Sequence, residues 1–214
     1  MMKKNIDYLK EKFKDCFDVK FRELSTILGN GTVVFIDDLC NSQWMMEYMI
    51  LPLRGFGELK GEGGISTPQD LIDKVLDMNM TGIAKDIDDA IFHVLSGDVV
   101  LVLNDYEEII YCEVKNMVRR GVGIPDTESV LKGPREGFNE LIVDNVALIR
   151  RRLKNPDLKF EAVYVGEKSQ TAVAITYIKG IVDEKVLEDI RKKVKNLDLR
   201  FVLDSNYIEC NLKK

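Results

Sequence analysis

The sequence predicts an α/β protein made of two small mixed subdomains, each a short sheet with packed helices. Helical three- and four-residue spacings alternate with β-branched runs along the chain. Two pairs of apolar runs are separated by turn-forming residues. Between those pairs lies MVRRGVGIPDTESVLK, whose glycines, proline and mixed charge mark a connection. The expected division is therefore a first subdomain over 1–116, a linker over 117–132 and a second subdomain over 133–214.

The first helix follows from Ile6, Leu9, Phe13 and Phe17, which share one helical stripe. Two strands come next, DVKFREL and GTVVFID, with Gly29-Asn30-Gly31 as the expected turn. NSQWMMEYMILPLRG predicts a helix capped by Asn41 or Ser42 and stopped near Pro52 and Gly55. GFGELKGEGG lacks the GxGxxG spacing of dinucleotide sites and predicts a loop. STPQDLIDKVLDM and DIDDAIFHVLSG predict two more helices, and DVVLVLND with EEIIYCEV a hairpin. In the second half, GPREGFNELIVDNVALIRRRLK predicts a helix over 134–154, and KFEAVYVGE with TAVAITYIKG a strand pair. VDEKVLEDIRKKVKNL predicts a helix capped by Asp183, with Val186, Leu187, Ile190, Val194 and Leu197 on its apolar face. RFVLDS is the expected last strand.

The whole chain carries 31 basic and 36 acidic residues, a net −5, and no run is apolar for long enough to span a bilayer. A chain of this charge has no global field that draws nucleic acid. Cys16, Cys40, Cys112 and Cys210 have no zinc spacing and are expected to be reduced thiols. His93, the only histidine, has no serine, cysteine or second histidine nearby in sequence to make a catalytic pair. Asp98, Asp105, Glu107 and Glu108 fit turns and a solvated strand edge better than a cation site. The expectation is a non-enzyme without metal or cofactor.

Positive charge is nevertheless concentrated over 115–154, with nine basic residues against five acidic ones. On a helical wheel, Phe138, Leu141, Ile142, Val146, Leu148, Ile149 and Leu153 form one arc. Asn145 and Arg152 fall inside that arc and would each need a polar partner. Arg150 and Arg151 fall outside it, Arg151 on the side of Glu140 and Asp144, where intrahelical pairing accounts for it. Gly133 as cap and Pro134 as first helical residue would leave backbone N–H groups beside Lys132 and Arg135. That supports an alternative reading as an anion- or nucleotide-binding regulatory module, although Glu136 already supplies negative charge there.

LKGPREGFNELIVDNVALIRRRLKNPDL, VVFIDDLCNSQWMMEYMILPL, LSGDVVLVLNDYEE and FVLDSNYIE together resemble the N-terminal soluble domain of GerA-family spore germinant receptor A subunits. The resemblance covers nearly the whole chain. It implies a non-catalytic domain acting in receptor assembly and signal transmission during nutrient-triggered germination, on the cytoplasmic, spore-core face of the inner membrane. It implies B and C receptor subunits as partners, a homo-oligomer of A subunits, and a membrane region beyond this soluble stretch. By the same resemblance, the family-motif and candidate assembly residues are Gly133, Pro134, Arg135, Glu136, Gly137, Phe138, Asn145, Arg150, Arg151 and Arg152.

Overall fold

The computed structural model of the chain describes residues 3–56, 64–115 and 137–212. Its helices are α1 (Lys3–Lys12), α2 (Ser42–Met45), α3 (Leu51–Leu53), α4 (Pro68–Lys74), α5 (Ile87–Leu95), α6 (Ile142–Arg152), α7 (Glu184–Lys195) and α8 (Ser205–Leu212). Its strands are β1 (Val19–Thr26), β2 (Gly29–Ile36), β3 (Thr81–Ile83), β4 (Val99–Leu103), β5 (Ile109–Cys112), β6 (Leu158–Val165) and β7 (Thr171–Ile178). The architecture is mixed α/β, as the sequence predicts.

The chain divides into two compact units, one of residues 1–11 and 19–154, the other of residues 12–18 and 155–214. The break expected over 117–132 thus falls instead at Lys154–Asn155, which leaves α6 in the first unit, and the segment 12–18 joins the second. Residues 117–132 lie outside the described residues. The reason for 12–18 is a backbone pairing that sequence pattern cannot show. Phe160 donates its N–H to Asp15 O at 3.1 Å and accepts from Phe17 N–H at 3.0 Å, and Lys159 Nζ donates to Lys12 O at 2.6 Å.

In the first unit the strands form one antiparallel sheet in the order β1-β2-β4-β5-β3. Every residue of β4 is buried, which explains its unbroken Val-Val-Leu-Val-Leu run: both faces are covered. On one face Val99, Leu101 and Leu103 meet Met45, Met49, Ile50, Leu53 and Leu71 in a single core. α5 packs on the strands β2, β4 and β5 with Ala90, Ile91 and Val94 buried. The β1–β2 turn is Ile27-Leu28 and not Gly29-Asn30-Gly31, since Thr26 pairs with Gly29. Gly31 is instead a packing requirement of β2, because a Cβ there would sit 2.8 Å from Val102 O on β4.

Helix boundaries follow capping chemistry. Asn41 Oδ1 accepts from Trp44 N–H at 3.0 Å to start α2, which passes through a π-helical turn at Met46–Ile50 into α3. Thr67 and Asp70 form a reciprocal capping box with Pro68 at the first position of α4. Asp86 caps α5, which stops at Ser96 ahead of Gly97 in the left-handed region at φ 87°. β3 was not expected; three residues carry too little periodicity to register as a strand.

The second unit is the β6–β7 hairpin with α7 packed on β6 and α8 on α7. Val165, Ile175, Leu187, Val194 and Val202 form its core. Asp183 caps α7 by accepting from Lys185 N–H at 2.8 Å. Val186 is 54% exposed and so stands outside the buried face assigned to it from periodicity. No strand forms at 201–203. The groups that a strand would spend on a neighbour are taken by side chains: Val202 N–H donates to Ser169 Oγ at 3.0 Å, and Thr171 Oγ1 donates to Val202 O at 2.8 Å.

α7 is held to the hairpin by charge as well as by its apolar face. Arg191 Nε donates to Glu161 Oε2 at 2.9 Å, its Nη2 reaches Glu161 Oε1, and Tyr177 OH donates to the same oxygen at 2.5 Å. The Arg191 hydrogen bond, aided by Tyr177 and opposed by burial, holds the Glu161 carboxyl below its ordinary value of 4.5. A depressed folded value means that the contribution is fully present above pH 4.5 and is lost as pH falls through the lowered value. Glu161→Gln is expected to destabilise the second unit by about 2 kcal/mol at neutral pH. Thermal melts of both proteins across acid pH check this, and the gap between them should close as pH drops below 4.5.

Candidate functional site

The residues ahead of α6 are not helical from Gly137 to Leu141. Asn139 sets the start by a side-chain turn, its Oδ1 accepting from Leu141 N–H at 2.8 Å. Asn145, one turn into α6, reaches back to the same residue. Its Oδ1 accepts from Asn139 N–H and its Nδ2 donates to Asn139 O, both at 2.8 Å. The amide expected to need a partner therefore finds one within the motif itself, and fixes the approach of the chain to the helix. Asn139 Nδ2 also donates to Asp144 Oδ2 at 2.6 Å.

The helix that results presents a different face from the expected one. Val146, Ala147 and Arg150 are its buried residues. Phe138 is 71% exposed, and Leu141 and Leu153 are also exposed. Because Phe138 and Leu141 lie before the first helical residue, they exert no pull on the helical arc, and the buried face turns by about a third of a revolution. The arginines exchange roles accordingly. Arg150 is fully buried, where Arg152 was expected, and Arg151 and Arg152 are exposed on α6. Arg150 is engaged in that interior and not free. All three sit in the last turn, where positive charge offsets the helix dipole.

Asp144 also meets Asp38, which stands in the left-handed region at φ 64° just after β2. Burial raises the Asp38 pKa, the charge and hydrogen bond of Asp144 raise it further, Arg151 opposes, and Asp37 adds. α6 thus meets the end of β2 through a carboxyl pair with an arginine beside it. Gly133, Pro134, Arg135 and Glu136, with the helix start and anion cradle expected of them, lie outside the described residues.

A second polar cluster was not visible in the sequence. His93 Nδ1 lies 2.7 Å from Asp98 Oδ2, and the ring stacks on Tyr111 with centroids 3.6 Å apart. Lys115 Nζ pairs with Asp98 Oδ1 at 3.3 Å and Glu113 Oε1 at 2.8 Å. Burial works against the Lys115 ammonium, but Glu113 and Asp98 outweigh it and raise its pKa. The stop of α5 folds Asp98 back onto His93, since Asp98 N–H bonds to His93 O at 3.0 Å. The cluster joins α5 to β5. Burial pushes the Cys40 and Cys112 thiols up to about 12, far from a reactive thiolate. Among the described residues no group of three or more His, Cys, Asp or Glu side chains could hold a metal ion, and no helix is long and apolar enough to cross a membrane.

A family model described as Bacillus/Clostridium GerA spore germination protein matches residues 7–214. Spore germination protein KA of Bacillus subtilis (strain 168) is 29% identical over 211 residues, covering 96% of this chain and 38% of that protein. The uncharacterized membrane protein YfkQ of the same strain is 28% identical over 97% of this chain and 40% of that protein. Spore germination protein GerLA of Bacillus cereus is 28% identical over 90% and 39%. The chain thus spans about two fifths of the length of these relatives. Its fold is shared with the crystal structure of the N-terminal domain of the A subunit of the Bacillus megaterium spore germinant receptor GerK3, at a TM-score of 0.66 and 23% identity, over 98% of this chain and 76% of that one.

Proposed function

This chain belongs to the GerA family of spore germination proteins, and from that premise we propose that it is a non-catalytic domain of a germinant receptor A subunit, acting in receptor assembly and signal transmission. Its partners are then the B and C subunits of the receptor and further A subunits. Its place is the cytoplasmic face of the spore inner membrane, held there by a membrane region outside this stretch. The observation that carries the reading is the family match across nearly the whole chain. α6 supports it. A helix fixed by Asn145 at one end and by buried Arg150 at the other displays Arg151 and Arg152 at the surface. Surface arginines on a rigid helix suit a protein contact better than chemistry.

The test is charge reversal. Arg151→Glu with Arg152→Glu, placed in the native gene, is expected to abolish nutrient-triggered germination, followed as the fall in optical density of a spore suspension on rich medium. Because Arg151 stands beside the Asp38–Asp144 carboxyl pair, Arg151→Gln with Arg152→Gln, which adds no carboxylate there, is measured alongside and is expected to impair germination while keeping the melting temperature within a few degrees. Normal germination by these spores would overturn the reading.

A further inference from the structure

α6 meets the end of β2 at a point where two groups of like charge are made to approach. Asp38 lies in the turn between β2 and α2, and that turn is fixed along its length. Asp38 itself is held in the left-handed region at φ 64°. Leu39 packs so closely on Gly97 that a Cβ there would sit 3.2 Å from Leu39 Cβ. Asn41 N–H donates to Val114 O at 2.7 Å. Asp144 is fixed from its own side, in the first turn of α6, where Asn139 Nδ2 donates to its Oδ2 at 2.6 Å. Neither carboxyl is carried on a free end, so the fold imposes their meeting.

The two side chains stand within hydrogen-bonding reach of each other, and both are half-buried. A carboxylate has no donor, so a hydrogen bond between two of them exists only when one holds a proton. When both are ionised, the same contact is a repulsion. Asp38 is the better holder of the proton, because burial favours its neutral form and Asp144 Oδ2 already accepts from Asn139. Two other charges act on Asp38. Asp37, on the same turn and paired with Lys20 of β1 at 3.9 Å, adds to the negative field. Arg151, two turns along α6 from Asp144, opposes it.

We propose that Asp38 and Asp144 are a proton-operated latch between the sheet and α6: one shared proton closes it in acid, and loss of that proton sets the two carboxylates against each other. Asp38 in the folded chain titrates above its ordinary value of 3.8. The contribution of the latch to stability is therefore fully present below 3.8 and is lost as pH rises through the raised value. Glu161 in the second unit runs the opposite way, its contribution being lost as pH falls. Acid thus tightens α6 within the first unit and loosens α7 within the second. At neutral pH Arg151 limits the repulsion, so α6 stays in place with the latch open. Because α6 displays Arg151 and Arg152 at its surface, the latch sets how firmly both are held, whatever they contact.

The test uses the whole chain, with its aspartates labelled at the carboxyl carbon and followed by NMR from acid to neutral pH. The Asp38 signal is identified by its loss in Asp38→Asn. Asp38 is expected to titrate above 3.8, and Asp144→Asn to bring that titration down. The second readout is hydrogen-exchange protection of the Val146 and Ala147 amides on the buried face of α6. That protection should rise as pH falls in the parent and lose this dependence in Asp38→Asn, whose amide can donate to Asp144 at every pH. Asparagine also suits the left-handed region, an effect independent of pH, so the dependence is the measure. An Asp38 titration at or below 3.8, or one that Asp144→Asn leaves in place, overturns the proposal. So does α6 protection that follows pH alike in the parent and in Asp38→Asn.

Discussion

Arg150→Ala should destabilise the first unit by about 3–5 kcal/mol, the cost of breaking a buried charge arrangement from one side. The residue is fully buried on α6, next in the helical face to Val146 and Ala147. Two losses combine. The groups that Arg150 engages lose their counterpart, and the removed side chain leaves a cavity. Arg150→Met separates them, since it keeps much of the volume without the charge. If the charge dominates, Met recovers only a small part of the loss; if packing dominates, it recovers most. Urea unfolding followed by fluorescence gives the measurement, with a lowered midpoint at unchanged slope. Arg152→Ala, at an exposed position, should stay within about 0.5 kcal/mol of the parent. Equal effects at the two positions would contradict the assignment of the buried arginine.

Phe160→Ala is expected to unfold the second unit while the first remains native. Phe160 is fully buried in a two-stranded hairpin, and its truncation costs about 3–5 kcal/mol. A unit this small has a total stability on the order of 5 kcal/mol, so the loss consumes most of it. Calorimetry should show the transition of the first unit preserved and that of the second lost or moved to low temperature. Leu101→Ala on β4, also fully buried, should do the reverse, lowering the first transition by a comparable amount. A single merged transition shifted equally by both substitutions would show that the units do not unfold separately.

Much of the fold was legible because it follows local rules. The continuous apolar run of β4, the alternation in β1, and the caps at Asn41 and Asp183 each depend on neighbours in sequence. What was not legible depends on side chains closing over distance. Ser169 and Thr171 take the backbone of Val202 and so prevent a strand there. Asp15 and Phe17 pair with Phe160 across most of the chain. At the candidate site, the need of Asn145 for a polar partner was readable, but the partner was not. Asn139 supplies it through backbone groups, which every residue has. The same turn delays the helix to Ile142, and this is why the wheel placed Arg152 where Arg150 stands. His93 illustrates the same limit, its carboxylate partner appearing only once the end of α5 folds back.

The threading of the chain between its units sets an order of events at the ribosome. The chain passes from the first unit to the second at Glu11–Lys12, returns at Asp18–Val19, and passes back at Lys154–Asn155. Asp15 and Phe17 emerge early yet must wait for Phe160, with the entire sheet of the first unit synthesised in between. Local β hairpins of that sheet can form during the interval, whereas the second unit completes only after α8, which ends at Leu212, has left the ribosome. Until then the nascent chain carries an early segment whose Asp15 and Phe17 backbone groups lack their partner, Phe160.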